Sequence, residues 1–359
     1  MVGAGVAGST AALVAARDDR DVLLIDRPAG RRREHGETLP AEAGQVLREL
    51  GRWPAFAALR SRACWANRSV WGSGRLHTWE QLGNPYGSGW HVERYRVEAM
   101  LRGAALGAGA RLVVGSVCRV QRQDRVVRLV LDDGTEIDAP FVVDATGRPA
   151  LVARLLGARR VRHDRLVGMA WQHEGDADPS TLVEAVPDGW WFSAPTATGV
   201  IAIFFGDADL VDWRSAARRY SELLDRAPHT RARVATAGHP ASPTLVSAST
   251  SILRPVVGSG WIAVGDAAAT YDPLASQGIL HGLVTGQEAA AVGTRDSMAT
   301  YEQREMVRFD EHLRHRRAQY QIERRWPTAR FWRRRSESSE DTPVEPHSQP
   351  GRVTVGAGR

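Results

Sequence analysis

Three glycines open the chain, in the stretch Met1-Val2-Gly3-Ala4-Gly5-Val6-Ala7-Gly8. The spacing of Gly3, Gly5 and Gly8 suits a loop that turns tightly, brings backbone close to a pyrophosphate and packs a helix against a strand. The N–H groups and dipole of the helix behind such a loop attract phosphate. Asp26 ends the next apolar run, Val22-Leu23-Leu24-Ile25, 18 residues after Gly8. A carboxylate there accepts hydrogen bonds from an adenosine ribose. The chemistry implied is dinucleotide binding. With Cys64 and Cys118 the only cysteines, a disulfide framework and a cysteine-rich metal site are both excluded, and a reducing cytoplasm is the expected setting.

Elements that could hold this loop follow from the pattern of apolar residues. Residues 9–17 are small and apolar, as a helix tight against a sheet requires, and 22–26 reads as a buried parallel strand. Residues 40–51 form a short helix opened by Pro40 and stopped by Gly51. Residues 94–109 carry Val97, Met100, Leu101, Ala104 and Ala105 at helical spacing, and Asp132-Asp133-Gly134-Thr135 marks a hairpin turn. Phe141-Val142-Val143-Asp144 is a further buried run ending in an acid. From about 160 to 255 short alternating strands dominate, with one helix at 213–226. Trp261-Ile262-Ala263-Val264 then returns as a buried strand, followed by Gly265-Asp266, by Asp272-Pro273, and by a Gly/Ala-rich helix starting at Gly278. Residues 297–335 are mostly helical, interrupted at Pro327. Met1-Val2 can supply only the last residues of a first strand, so the native start is expected upstream of Met1.

The net charge of +6 would suit nucleic acid, yet all 47 basic residues are arginine, a pattern of codon bias and not of binding. Eleven of them lie between Arg304 and Arg335, mixed with acids, and read as a solvated helix face with salt-bridge partners. No run of about 18 apolar residues is present, so no membrane span is expected.

Three ordered motifs, Gly3-x-Gly5-x-x-Gly8, Asp144-Ala145-Thr146-Gly147 and the stretch 260–279 (GWIAVGDAAATYDPLASQGI), carry a family resemblance over residues 1 to about 335. The chain resembles the FAD-dependent monooxygenases and halogenases of the p-hydroxybenzoate-hydroxylase-type fold. That resemblance implies an α/β architecture: an FAD-binding doubly wound sheet, an interleaved antiparallel-sheet substrate domain and a C-terminal helical segment. The FAD-binding domain would comprise 1–155 and 255–295, with 65–93 contributing to the substrate pocket. Residues 156–254 would form the substrate domain, 296–335 the C-terminal helices and 336–359 a disordered tail. By the same resemblance Gly265 and Asp266 would hold the ribityl chain, Pro273 and Gly278 would lie against the isoalloxazine ring, Asp144 and Gly147 would pack beneath the pyrophosphate, and Arg94 would reach FAD.

Two departures bear on the reaction. The halogenase branch uses a lysine, and this chain has none. Its Gly-Trp-x-Trp-x-Ile-Pro motif reads Gly189-Trp190-Trp191-Phe192-Ser193-Ala194-Pro195 here, so halogenation is disfavoured. The stretches HGETLP (35–40), NRSVWGSG (67–74) and RRWPTARFWRRR (324–335) are similar to halogenase-like flavoproteins that include the maturases of tryptophylquinone enzymes. This implies hydroxylation of an aromatic, indole-like substrate, free or peptidyl, through a C4a-hydroperoxyflavin. Electrons would come from NAD(P)H directly or through a separate flavin reductase; the halogenase-like Asp-Ala-Thr-Gly motif favours the latter, and no second glycine loop offers a nicotinamide site. Glu37, His35 and His91 are the candidates for moving a proton. Trp71, Trp90, Trp190 and Trp191 could stack the substrate, with core packing the competing role. The alternatives are a flavin-dependent reductase or dehydrogenase without oxygen insertion, and a flavin-free binding or maturation partner.

Overall fold

The glycine loop leads directly into the helix Val6–Arg17, and the apolar run behind it forms the strand Leu23–Asp26. In the computed structural model, which describes residues 1–28, 37–81, 84–175, 178–235, 238, 240, 242–292 and 295–337, these belong to a parallel sheet. Its order is Arg111–Val114, Leu23–Asp26, Val2, Val142–Asp144 and Trp261–Ala263, with Val257–Gly258 antiparallel at the far edge. Val2 therefore fills the central position. Its N–H donates to Val143 O at 2.9 Å, while Gly3 N–H donates to Ile25 O at 2.7 Å. A central parallel position is covered on both faces, and Val2 is buried accordingly.

The helix Gly278–Ala290 lies against Val6–Arg17. Small residues make this approach feasible: a Cβ on Gly286 would stand 2.5 Å from Ala7 O, and one on Gly265 2.9 Å from Ala7 Cβ. The single turn Gly265–Ala267 is thereby held beside the first turn of the glycine-loop helix.

A seven-stranded sheet forms the second layer. Its order is Thr244–Ser247, Leu166–Glu174, Gly199–Asp207, Gly189–Pro195, Thr181–Val186, Ala66–Val70 and His77–Glu80. All neighbours are antiparallel except Thr181–Val186 with Ala66–Val70. Within Gly189–Pro195 the period of two sends Trp190 and Trp191 to opposite faces. They join separate apolar clusters.

The structure differs from the sequence reading in three places. The helix expected over 213–226 is two, Trp213–Arg218 and Tyr220–Asp225. The break lets Tyr220 stack on Trp171 at 4.5 Å and hydrogen-bond His173 Nε2 at 2.6 Å. Ser336 and Glu337, expected in the tail, instead end the helix Arg330–Glu337, Ser336 Oγ donating to Arg333 O at 3.1 Å; residues 338–359 lie outside the described residues. The arginines of Arg295–Ile322 and Arg330–Glu337 do not form one solvated face. Arg316 pairs with Asp164 at 3.0 Å and Asp272 at 3.2 Å, and Arg335 pairs with Asp207 at 2.7 Å; the three carboxylates and Arg335 are buried and Arg316 is nearly so. Their carboxylates come from distant segments, which a helical charge pattern does not reveal.

Candidate functional site

At the glycine loop the chain builds a cleft of about 730 Å³ whose lining includes Gly3, Gly5, Asp26, Arg94 and Gly147. Gly3 has φ +100°, a backbone region that L side chains avoid, and its Cβ would stand 2.3 Å from Ala145 O. Gly8 lies beneath it, its absent Cβ only 1.9 Å from Gly3 O. Gly5 differs: a Cβ there would meet just Glu98 Oε1, at 3.5 Å, so its outer side is open. As the cap of Val6–Arg17 it also brings no side chain to the first-turn N–H groups. An open, side-chain-free helix start fits the phosphates of a dinucleotide. On the opposite lip, buried Asp144 accepts from Thr146 N at 3.0 Å, Thr146 Oγ1 at 2.7 Å and Ala153 N at 2.8 Å. It fixes the turn that carries Gly147 (φ +74°).

Arg94 opens the helix Arg94–Gly107 and reaches Glu37 at 3.1 Å and Glu98 at 2.9 Å. The Glu37 charge, then those of Asp266 and Glu98, hold its guanidinium protonated against burial. Asp266 stands 3.8 Å from Arg148, and Arg160 donates to Asp266 O at 3.0 Å. The strand Glu37–Leu39 lies between this cleft and a second cavity: Glu37 lines the first, and Thr38 and Leu39 line the second. The second cavity reaches the turn after Asp272. That turn, Pro273–Ala275, lines the second cavity, and nothing stands within 4 Å of where a Gly278 Cβ would be. The residues present fit FAD.

The second cavity measures about 810 Å³. Trp71, Trp79, Phe192 and Leu274 give it aromatic and apolar surface, while Asn67, Arg68, Thr181 and His77 give it a polar side. Arg68 is paired with Asp178 at 3.1 Å, and His77 Nε2 lies 3.2 Å from Ser73 Oγ. Glu42 and His77 are the carboxylate and imidazole lining it.

Of the expected proton carriers, Glu37 and His91 do not line this cavity. Glu37 lies in the cofactor cleft as the partner of Arg94. His91 is buried between strands, with Nε2 2.8 Å from Pro179 O and Nδ1 3.4 Å from Thr38 Oγ1. His35 lies outside the described residues. Of the tryptophans, Trp71 lines the cavity. Trp90 packs edge-on against Trp53 and Phe56. Trp190 is fully buried behind Trp71, stacked on Phe205 at 4.2 Å, and Trp191 is fully buried on the other face with Trp171 and Phe204.

Burial lowers the His91 imidazole to about 4 and that of His312 likewise to about 4. Both are neutral in the folded protein at physiological pH, from an ordinary value of 6.5. Groups depressed on folding give stability that is present above the unfolded value and lost as pH falls through the folded one. Stability should therefore decline between about pH 6.5 and 4, each histidine contributing on the order of 3 kcal/mol at 1.36 kcal/mol per unit. His91→Gln should flatten part of that slope in urea unfolding measured across this range; an unchanged slope would contradict it.

Sequence reasoning missed Trp79, Phe192, Glu42 and His77. His77 and Trp79 alternate along the edge strand His77–Glu80, a period-two signal hidden in a polar stretch. Phe192 was legible only as a broken motif.

Residues 73–348 match the tryptophan halogenase family. A menaquinone reductase of Mycobacterium tuberculosis (strain CDC 1551 / Oshkosh) is 32% identical over 316 residues, covering 81% of this chain and 74% of the relative. The flavin-dependent halogenase CmlS superposes with a TM-score of 0.82 at 22% identity, over 93% of this chain and 66% of that one, just under two thirds. The peptidyl tryptophan dihydroxylase QhpG, essential for tryptophylquinone cofactor biogenesis, gives a TM-score of 0.76 at 25% identity, over 93% and 77%. Among the described residues no helix is long and apolar enough to cross a membrane. With a glycine-loop cleft that fits FAD and a family match over most of its length, the chain belongs to the tryptophan halogenase family of FAD-dependent oxidoreductases.

Proposed function

We propose that this protein is a monooxygenase that hydroxylates an aromatic, indole-like ring held in the 810 Å³ cavity. The observation that carries the reading is the cavity itself, walled by Trp71, Trp79 and Phe192 and floored by the turn Pro273–Ala275. Gly3, Gly5, Gly8, Asp26, Arg94, Asp144, Gly147, Gly265, Asp266, Pro273 and Gly278 would hold FAD. When bound and reduced, FAD supplies oxygen activation; the electrons come from NAD(P)H, directly or through a separate flavin reductase. The protein's part is to orient the ring and exclude water. Trp71 and Phe192 present aromatic surface to a planar ring, and Leu274 covers the turn. The proton leaving the ring carbon has two acceptors along the wall, Glu42 and His77. No lysine is available for handling hypohalous acid, so no halide-dependent product is expected from any indole.

A second reading, flavin-dependent reduction without oxygen insertion, is favoured by the 32% identity to a menaquinone reductase. The polar side formed by Asn67, Arg68, Thr181 and His77 suits a compact ring with a polar edge better than a long polyprenyl chain. Isotope labelling separates the two. Incubating the reduced holoenzyme with indole or a tryptophan-containing peptide under ¹⁸O₂ should give a product bearing one heavy oxygen per hydroxyl. A reduced product without label would replace hydroxylation by reduction.

A further inference from the structure

Both walls of the aromatic cavity hang on one face of the helix Arg295–Ile322. His312, Arg316 and Tyr320 recur at i, i+4 and i+8, with Gln319 beside them. From the turn side, Asp272 N–H donates to His312 Nε2 at 3.1 Å. Asp272 Oδ2 accepts from Arg316 Nε at 3.2 Å and from Tyr320 Oη at 3.0 Å, while Oδ1 accepts from Leu274 N at 3.0 Å. From the wall side, Trp71 Nε1 donates to Gln319 O at 2.8 Å, and its ring packs edge-on against Tyr320 at 5.6 Å. Trp190 Nε1, behind Trp71, donates to Tyr320 Oη at 2.9 Å. The Tyr320 hydroxyl thus bonds to both sides: it accepts from the tryptophan wall and donates to the carboxylate that caps the Pro273 turn. Tyr320 is itself buried, so neither partner can turn to water if the hydroxyl is removed.

We propose that Tyr320 is a positioning residue that joins the aromatic wall to the turn Pro273–Ala275 and so sets the gap between substrate ring and flavin. The inference rests on the reading of that turn as the flavin-facing one. Asp272 is its working partner, since the same carboxylate that receives the hydroxyl also fixes Leu274 N. Removing the hydroxyl cuts the direct bond between the two sides without emptying the core, while His312 and Arg316 still hold Asp272.

The test is made on the FAD-loaded full chain without substrate, recording the visible circular dichroism of bound flavin and the FAD Kd by fluorescence quenching. Tyr320→Phe should alter the flavin bands while FAD affinity stays within about threefold of wild type, well under one 1.4 kcal/mol decade. Asp272→Asn should alter the same bands, and the double variant should add little, as expected for two ends of one bond. Phe331→Leu, which thins the packing against Tyr320 but touches neither hydrogen bond, should lower the melting temperature and leave the bands unchanged. Unchanged bands in Tyr320→Phe, or an equal change in Phe331→Leu, would reduce Tyr320 to a packing residue. If Tyr320→Phe does not fold, Asp272→Asn decides from the turn side: unchanged bands there overturn the proposal. A wild-type protein that binds no FAD would instead remove the cofactor reading, and absent hydroxylation would leave this spectral result standing.

Discussion

Gly3→Ala is expected to purify without flavin. Alanine at φ +100° carries backbone strain on the order of 1–3 kcal/mol. Its Cβ would also have to clear Ala145 O, at 2.3 Å, and Ala145 C, at 2.7 Å. Neither atom is the end of a flexible side chain. The obstruction is the backbone of the turn that carries Gly147, so relief means moving one lip of the cleft away from the other. At 1.4 kcal/mol per decade, a distortion of about 3 kcal/mol weakens FAD by roughly 100-fold. Gly5→Ala is the companion variant. Gly5 has φ −74° and a free outer side, with only Glu98 Oε1 at 3.5 Å, so alanine costs the flavin-free fold little. A methyl group there takes the space a pyrophosphate would use. Absorbance near 450 nm and thermal melting, measured together, separate the cases: Gly5→Ala should lose flavin and keep its melting temperature. A Gly5→Ala protein that stays yellow would show that the phosphates do not bind at this loop.

The second large effect concerns Arg316. Its guanidinium is shared between the buried carboxylates Asp164 and Asp272, and its own side chain is only 9% exposed. Burial acts to raise the Asp164 carboxyl, but Arg316 and Arg335 outweigh it and hold Asp164 below its ordinary value. At Asp272 burial prevails and the carboxyl is raised, with Arg316 offsetting it in part. Arg316→Met strips both carboxylates of this partner. Breaking a buried pair from one side costs about 3–5 kcal/mol, because the remaining charge is left without compensation.

The sign of the pH dependence follows. A depressed carboxyl gives stability present above its unfolded value and lost as pH falls through the folded one. A raised carboxyl does the reverse, contributing below its unfolded value and losing that contribution as pH rises through the folded one. Without Arg316, burial governs both groups and protonation relieves them. The deficit of Arg316→Met relative to wild type should therefore be largest near about pH 8 and narrow toward about pH 5. Urea unfolding at the two pH values measures it, and a deficit independent of pH would mean that lost packing, not lost charge, is responsible.

How much of this was legible in the chain depends on the range of the interactions. The glycine loop, its helix and the strand ending in Asp26 are local, and the same steric rules that space the glycines also shape the loop. Asp144, Gly147, Asp266 and Pro273 stood out through the order of the family's motifs, and the apolar runs before Asp144 and Asp266 are indeed strands of the parallel sheet. The aromatic cavity was harder to read. Alternation says that Trp190 and Trp191 point to opposite sides of a strand, but it does not say which side meets a cavity. In the fold Trp190 lies behind Trp71, Trp191 is in a separate core, and Phe192 is the residue of that stretch that lines the space.

The C-terminal arginines mark the limit most clearly. By themselves His312, Arg316 and Tyr320 look like part of a charged, solvated helix, and nothing within that segment says otherwise. Their burial depends on Asp164 and Asp272, 152 and 44 residues earlier than Arg316 in the chain. A charge enters the interior only when a counter-charge is fixed beside it. The sequence by itself determined the glycine loop and the family's order of motifs, since these rest on short-range backbone geometry. Which side chains line the cavity, and that one tyrosine hydroxyl ties its two walls together, was decided only when the tertiary structure brought distant polar groups within hydrogen-bonding reach.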